Sequence, residues 1–115
     1  MKPKEIIQRW VGYFNTQDIN GLMSLYHENS INHQTPTGLV KGKNNIRKLF
    51  EKEFDSFEMV CVIENVFEDG KWGILEWKDP KGLRGCGFFQ FEGDKIILQR
   101  GYWDKLTFQN QQVAD

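Results

Sequence analysis

The hydrophobic pattern changes at Glu58, and this change limits the possible folds more than any other feature of the sequence. Beyond it, runs rich in Val, Ile, Phe and Trp alternate with short segments that contain Asp-Gly, Asp-Pro or Gly-Asp. The runs predict strands, and the short segments predict hairpin turns. The predicted strands cover residues 59–67, 72–78, 83–92 and 95–104, which together would form an antiparallel meander.

The first half of the chain has apolar residues at the helical spacing of three and four instead. Pro3 suits the first turn of a first helix, Asp18 is a typical N-cap for a short second helix that ends near 27–29, and Gly42 precedes a third helix. Residues 30–34 form a short predicted strand between the second and third helices. The predicted buried faces of the three helices are Ile6, Ile7, Trp10, Val11 and Phe14; Ile19, Leu22, Met23 and Tyr26; and Ile46, Leu49, Phe50, Phe54 and Phe57.

Helices followed by strands predict an α+β domain, and 115 residues are enough for one core. We therefore expect a single domain over 1–115, with a polar tail that frays from about residue 109. A long meander with only three helices covers one sheet face if the sheet curves around them. The glycines in segment 82–87 favour such a bend, and a bulge or the close approach of a ligand are the alternatives.

Composition and charge exclude several classes of function. The net charge is −1 and the charges are interspersed, so neither nucleic acid nor a membrane is expected as a partner. Cys61 and Cys86 are too few for a disulfide scaffold and predict free thiols in a cytoplasmic protein. His27 and His33 lack a third residue at ligand spacing, so no metal site and no cofactor are predicted.

Two segments carry a resemblance to a known family. The segment YHENSINHQTPTGLVKGKNNIRKLFEKEF resembles the front half of the SnoaL-like and nuclear transport factor 2-like proteins. The segment GFFQFEGDKIILQRGYWDKLTF resembles the last hairpin of the same superfamily, which commonly closes with an aromatic residue and Asp. The resemblance implies a cone-shaped fold with three N-terminal helices in a curved antiparallel sheet, a pocket between them, and a homodimer formed through the sheet.

The superfamily includes isomerases, dehydratases, hydrolases and non-catalytic domains, so the resemblance does not imply one reaction. Compared with limonene-epoxide hydrolase, Asp79 matches a catalytic carboxylate. Trp77 stands in the place of its arginine and Gly101 in the place of its second carboxylate, while Asn32 and Gln34 fall near its Tyr and Asn positions. That catalytic set is incomplete in this chain.

The comparison with ketosteroid isomerase gives a similar result. That enzyme uses a carboxylate base just before the Pro of the first strand's turn, where this chain has Thr35. Its phenol lies on the first helix, where Tyr13 or Phe14 is the nearest match. Thr35 does not act as a general base near neutral pH, so the sequence leaves open whether the protein is an enzyme.

The candidate site residues all lie on segments that would border the cavity. His33 and Asp79 are the catalytic candidates, although a single histidine beside a turn is more often an exposed or structural residue, and Asp79, just before Pro80, more often initiates a turn. On the last strand, alternation alone does not show which side faces inward, and the family resemblance turns Gln99, Gly101 and Trp103 inward. The predicted ligand-binding residues are Gln34, Trp77, Gln99, Trp103 and Phe14.

Two functions from different classes are consistent with these residues. The first is a pocket that binds a small, largely apolar or aromatic molecule, with lyase, isomerase or hydrolase activity as an extension. The second is a non-catalytic dimerisation or interaction module, in which the aromatic side chains fill the cone.

Overall fold

A computed structural model describes the backbone of residues 1–114 and the side chains of residues 1–112. The helices are α1 (Pro3–Asn15), α2 (Ile19–Met23), α3 (Lys43–Ser56) and α4 (Lys105–Ala114). The strands are β1 (Tyr26–Gln34), β2 (Gly38–Lys41), β3 (Val62–Asp69), β4 (Trp72–Lys78), β5 (Arg84–Glu92) and β6 (Lys95–Trp103). The α+β fold class is therefore confirmed.

The six strands form one sheet in the order β2-β1-β6-β5-β4-β3. The meander β3 to β6 is antiparallel, as predicted, and β1 is antiparallel to β2. The pair β1 and β6 is parallel, so β6, the last strand of the chain, lies between the first strand and the rest of the sheet. This arrangement brings residues 31–34 directly beside residues 98–101.

One face of the sheet, called here the inner face, packs against α1, α2 and α3. The buried core combines this face with the apolar sides of the helices, as in the contacts of Trp10 with Phe14, Phe50 and Phe89. By strand alternation and register, the inner face carries Asn32, Gln34, Leu75, Trp77, Phe89, Gln99, Gly101 and Trp103. The opposite, outer face carries His33, Trp72, Ile74, Glu76, Phe88, Arg100 and Tyr102.

The second helix is shorter than the sequence suggests. It ends at Met23, and β1 already begins at Tyr26. The backbone explains this, because the N–H of Ile96 on β6 donates to the carbonyl of Leu25 at 2.7 Å and draws the chain into the sheet. Tyr26 was predicted on a helix face, and it is a buried strand residue instead.

The C-terminal segment also differs from the prediction. Instead of a frayed tail, the chain forms α4 after Asp104. The Asp104 carboxylate accepts a hydrogen bond from the backbone N–H of Thr107 at 3.1 Å, which is the geometry of a helix N-cap. Phe108 then packs its ring against Trp103 and Phe57, at centroid distances of 5.4 and 5.2 Å. A cap and an aromatic anchor therefore hold a helix whose composition is polar.

The glycines of β5 and β6 make room for neighbouring side chains. A Cβ at Gly85 would lie 2.3 Å from the Trp77 ring, and a Cβ at Gly101 would lie 2.1 Å from Oε1 of Gln34. The register of β5 is continuous through Gly85 and Gly87, so the glycine segment contains no bulge there. Bare backbone at these positions lets Trp77 and Gln34 lie against the sheet.

Candidate functional site

Three amide side chains form a hydrogen-bonded row on the inner face. Gln34 Nε2 donates to Asn32 Oδ1 at 2.7 Å, and Asn32 Nδ2 donates to Gln99 Oε1 at 3.3 Å. At the open end of the row, Trp103 Nε1 donates to Gln34 Oε1 at 3.0 Å. Asn32, Gln34 and Gln99 are called the amide row below. They are neighbours because β1 and β6 are paired in parallel register.

The amide row ends deep in the core at Tyr26. The Tyr26 hydroxyl donates to Gln99 Oε1 and accepts a hydrogen bond from Trp10 Nε1 at 2.9 Å. Burial raises the pKa of Tyr26, with a smaller contribution from the charge of Glu53, so the phenol is neutral and able to donate. Two series of hydrogen bonds, one that begins at the Trp103 indole and one that begins at the Trp10 indole, therefore end at Gln99 Oε1.

The direction of these hydrogen bonds determines what Gln99 still offers. Its Oε1 accepts from both Tyr26 and Asn32. Its Nε2 must then be the donor, and within residues 1–112 no side chain or backbone group accepts from it. Gln99 is 6% exposed as a residue, but its Nε2 is not among the fully buried unpartnered side-chain atoms, which within residues 1–112 are limited to Gln111 Nε2, so this donor keeps some contact with solvent.

Four half-buried aromatic rings surround the open end of the amide row. Trp77 lies over Gly85, which is paired with Trp103 on the next strand. Phe108 from α4 packs edge-on against Trp103 and against Phe57, the residue that follows α3. Trp77, Trp103, Phe57 and Phe108 are called the aromatic mouth below. The mouth places apolar ring surface next to hydrogen-bonding groups, the composition expected of a small-molecule site.

Glu53 is a half-buried acidic residue of α3. It lies seven residues, or about two turns, after the fully buried Ile46, and four residues before Phe57. Its carboxyl has no hydrogen bond or ion pair with another side chain within residues 1–112. Burial raises the pKa of Glu53 to about 7, and its charge acts on Tyr26. A carboxyl with this environment is a candidate for binding or proton transfer.

The structure brings together most, but not all, of the predicted site residues. Gln34, Gln99 and Trp103 form one connected group, and Trp77 lies next to Trp103 across β5. Phe14 lies deeper, stacked on Trp10 at a centroid distance of 5.0 Å in the core. The inward direction that the resemblance implied for the last strand agrees with these contacts.

The two catalytic candidates are not part of this group. His33 lies between the inward-facing Asn32 and Gln34 on β1, so alternation places it on the outer face beside Arg100. Asp79 lies in the turn between β4 and β5, where its Oδ1 accepts hydrogen bonds from the backbone N–H groups of Lys81 and Leu83, both at 2.9 Å. These bonds are those of a turn-forming Asp.

Sequence reasoning missed Glu53 and the role of Tyr26. The signal for Glu53 was present, because Glu53 occupies the same helical stripe as Ile46, Phe50 and Phe57, where an acidic residue is out of place. Tyr26 carried no such signal. Its hydrogen bond with Gln99 joins residues 73 positions apart and depends on the parallel pairing of β1 and β6.

The outer face carries two open grooves. One, of about 370 Å³, is lined by Asp69, Trp72, Ile74, Phe88, Arg100 and Tyr102. The other, of about 440 Å³, is lined by Glu64, Asn65, Glu76, Arg84, Gly85, Cys86 and Tyr102. Both grooves are separated from the amide row by the sheet itself.

The family profile of the SnoaL-like domain matches residues 7–99, from within α1 to the middle of β6. The chain therefore belongs to the SnoaL-like domain family. In the comparison with curated proteins, none matches this chain.

Solved structures with the nuclear transport factor 2-like fold superpose on almost the whole chain. An NTF2-like protein of unknown function from Cytophaga hutchinsonii has a TM-score of 0.83 at 18% identity, with 95% of this chain and 96% of that chain covered. Bal32a, from a soil-derived mobile gene cassette, has a TM-score of 0.81 at 20% identity, with 94% and 93% covered. At these identities the likeness concerns the fold.

A third structure contains a bound molecule. It is a hypothetical protein from Catenulispora acidiphila with a ketosteroid isomerase-like fold, in complex with trimethylamine. Its TM-score is 0.80 at 15% identity, with 91% of this chain and 88% of that chain covered. Within residues 1–114, no helix is both long and apolar enough to cross a membrane.

Proposed function

We propose that this protein binds a small, largely apolar or aromatic molecule between the aromatic mouth and the amide row. The observation that carries the proposal is the hydrogen bond from Trp103 Nε1 to Gln34 Oε1, which joins the amide row to a ring of the aromatic mouth. Apolar ring surface beside a few placed hydrogen-bonding groups is the usual composition of a small-molecule site. The trimethylamine complex of the Catenulispora protein supports the idea that this fold accepts small molecules.

The aromatic mouth sets the kind of molecule that fits. Its four rings offer flat apolar surface from Trp77 and Trp103 on the sheet, from Phe57 just after α3, and from Phe108 on α4. Aromatic side chains bind flat, apolar groups through offset and edge contacts. A molecule of one or two rings with a single polar group matches this combination of surfaces.

The experiment compares two tryptophans on one strand. Small aromatic fragments are screened by ligand-observed NMR against the wild type, Trp77→Ala and Trp72→Ala. Trp77 belongs to the aromatic mouth and Trp72 to an outer groove, so Trp77→Ala should weaken binding at least tenfold, about 1.4 kcal/mol, whereas Trp72→Ala should not. Binding that is lost only in Trp72→Ala, or fragments that bind neither face of the wild type, would contradict the proposal.

If the bound molecule reacts, by a lyase, isomerase or hydrolase step, we propose Glu53 as the group that transfers the proton. Its pKa of about 7 suits a general acid or base at neutral pH. The sequence-based candidates Asp79 and His33 lie in a turn and on the outer face. Any activity should therefore survive in Asp79→Asn and His33→Ala and be lost in Glu53→Gln, and the opposite pattern would return the assignment to Asp79 or His33.

The alternative of a dimerisation module applies to the outer face. Phe67 and Tyr102 are 50% and 45% exposed there, beside the two grooves. The proposal is a homodimer formed through this face, which leaves the mouth free. Light scattering on a size-exclusion column should show a dimer for the wild type and a monomer for Tyr102→Lys, and a monomeric wild type would exclude this arrangement. The cytoplasmic location stays a prediction from the two cysteines.

A further inference from the structure

The inward side of α4 carries an aromatic residue and an amide next to each other. Phe108 and Gln111 are half-buried and lie three residues apart, so they share one side of the helix. Leu106 and Gln109 are exposed on the opposite side, Leu106 at 63%. The helix therefore turns an amide toward the domain and a leucine toward solvent, which is the reverse of what packing alone selects.

The Phe108 ring places the inward side of α4 on the aromatic mouth. Its centroid lies 5.4 Å from that of Trp103 and 5.2 Å from that of Phe57. Trp103 ends β6 and Phe57 follows α3, so α4 crosses from the last strand to the end of the third helix. Because Leu106 is exposed, Phe108 is the apolar anchor of this helix within residues 105–112.

Gln111 has a polar atom in an unusual state. Its Nε2 is fully buried without a hydrogen-bond partner, and within residues 1–112 no other buried side-chain nitrogen or oxygen is in this state. The buried polar residues of β1 and β6 are all bonded, Ser30 to the carbonyl of Ile96, and Asn32 and Gln99 to each other. A buried donor without an acceptor is disfavoured, so this exception requires an explanation.

Helix geometry places this atom near the aromatic mouth. Gln111 lies one turn after Phe108, about 4.5 Å further along the helix axis. Long side chains on a helix point back toward its N-terminus, so the Gln111 amide extends toward the level of Phe108. The unpartnered donor is therefore under α4, on the side of the Phe108 ring.

We propose, on the basis of the proposed binding function, that α4 is a lid over the aromatic mouth and that Gln111 Nε2 donates a hydrogen bond to the polar group of the bound molecule. An acceptor reaches this donor only when the lid moves, because Nε2 is closed off from solvent. The Phe108 ring is the apolar anchor that holds α4 on the mouth, so opening exposes little buried surface. The bound molecule supplies the acceptor that Gln111 otherwise lacks.

The donor defines the polar group of the ligand as a neutral acceptor. A carbonyl or ether oxygen accepts from Gln111, whereas an ammonium group has no lone pair to offer. Neither the aromatic mouth nor the amide row contains Lys or Arg, so a carboxylate would lose its hydration without gaining an opposite charge. A neutral aromatic carbonyl compound is the class of molecule that satisfies the site.

The first test measures stability without any ligand. Gln111→Met keeps the length and the helix propensity of the side chain but removes the buried donor. It should raise the urea midpoint of unfolding, because the folded protein no longer buries an unpartnered N–H. Gln109→Met, exposed on the opposite side of α4, should leave the midpoint unchanged. An unchanged or lower midpoint for Gln111→Met would show that the amide is already satisfied and would overturn the proposal.

The second test measures affinity with three probes that share one ring. Acetophenone has a neutral acceptor, ethylbenzene has none, and benzoate has a charged one. Affinities are measured by chemical-shift titration of the whole chain, with the Trp103 indole N–H as reporter. The wild type should bind acetophenone at least tenfold more tightly than the other two. Gln111→Met should weaken acetophenone binding at least fivefold without weakening ethylbenzene, and Gln109→Met should match the wild type.

Hydrogen exchange tests the lid itself. Saturation with acetophenone should slow exchange of the backbone N–H groups of residues 108–112 at least fivefold in the wild type, because the ligand holds α4 closed. The slowing should be smaller in Gln111→Met. Exchange in α4 that does not change when acetophenone binds would overturn the lid.

The outcomes separate this inference from the binding function. Equal acetophenone affinity in the wild type and Gln111→Met, with weaker binding in Trp77→Ala, would overturn the role of Gln111 and leave the mouth as the binding site. Tighter binding of benzoate would overturn the neutral carbonyl compound. If none of the three probes shifts the Trp103 signal, both this inference and the proposed binding site fail.

Discussion

The inner and outer faces of the sheet are built from the same strands, one residue apart, yet they differ in chemistry. On β5, Phe89 faces inward and is 1% exposed, whereas its neighbour Phe88 lines an outer groove. On β6, the neutral Gln99 faces inward and Arg100 faces outward. Alternation alone therefore gives one sheet a face that packs and hydrogen-bonds and a face that carries charge.

The charged side chains on the two sides of the sheet also differ in pairing and hydration. On the outer face, Arg84 forms an exposed ion pair with Glu64, with Nη2 and Oε2 2.6 Å apart, and both groups stay hydrated. Exposed pairs of this kind contribute little to stability. Glu53, on α3, has no such partner within residues 1–112, and burial raises its pKa. The outer charges are therefore paired and hydrated, whereas burial disfavours the ionised form of Glu53.

The largest expected difference concerns the two phenylalanines of β5. Phe89→Ala should lower the free energy of unfolding by about 3–5 kcal/mol, because it removes a buried ring that contacts Trp10 and Phe91. Phe88→Ala is the matched control and should cost clearly less, because its ring is only partly buried against Tyr102. Urea denaturation measures both, and equal losses would mean that the outer face is covered in solution.

The second prediction uses the pKa of Glu53 and its effect on stability. The folded-state pKa of about 7 lies above the ordinary value of 4.5, so the folded protein holds this proton more tightly than the unfolded chain. The resulting stability is complete below about pH 4.5 and is lost as the pH rises through 7. Across this window the loss attributed to Glu53 is on the order of 3 kcal/mol.

Glu53→Gln should therefore unfold at a higher urea concentration than the wild type at pH 8.5 and at a similar concentration at pH 4.5. Glu51→Gln, exposed on the same helix, should follow the wild-type profile at both pH values. A wild type and a Glu53→Gln variant with parallel profiles would show that Glu53 is hydrated in solution.

The third prediction compares two tyrosines that differ in face. Tyr26→Phe removes the hydroxyl that joins Trp10 to Gln99, which leaves a buried indole N–H without its acceptor. The expected loss of unfolding free energy is about 1–3 kcal/mol. Tyr102→Phe, on the outer face, should stay within about 0.5 kcal/mol of the wild type. Thermal and urea denaturation measure both losses. Equal stability of Tyr26→Phe and Tyr102→Phe would contradict the hydrogen-bond assignment of Tyr26.

The smallest expected effect is at Gly101. An added methyl group would lie 2.1 Å from Gln34 Oε1 and would push the amide away from Trp103. Gly101→Ala should cost roughly 1 kcal/mol, the low end for overpacking, because Gln34 is only half-buried and has room to move. Gly12→Ala, with no atom within 4 Å of the new Cβ, should instead stabilise α1 by up to about 1 kcal/mol. A change in the Trp103 indole signal should accompany the first variant alone.

Local patterns predicted most of the fold. The strand 72–78 matches β4 at both ends, and the hairpins after Phe67 and Lys78 follow their turn residues. The beginning of β1 could not be predicted in the same way. Tyr26 fits a helical pattern with Leu22, and only its contacts with the distant strand β6 place it in the sheet. The same holds for α4, which depends on the packing of Phe108 against rings from two other elements.

The candidate site was also predicted only in part. Gln34, Gln99, Trp77 and Trp103 were found because the family resemblance fixed which side of each strand faces inward. His33 was chosen for its chemistry, and alternation places it on the other side. Asp79 was ambiguous between a base and a turn residue, and its hydrogen bonds are those of a turn. The position of Glu53 on the apolar stripe of α3 could have been recognised from helical spacing. It was overlooked because that spacing was used to find apolar residues.

The position of β6 has a consequence for how the chain is completed during synthesis. It is the last strand to emerge, yet it joins β1 and β2 on one side to β3, β4 and β5 on the other. Until residue 103 has left the ribosome, the nascent chain holds two separate groups of strands with unpaired edges, which are prone to association. A stop codon before β6 would therefore remove not a peripheral element but the junction of the domain, and a stop codon after Trp103 would keep it.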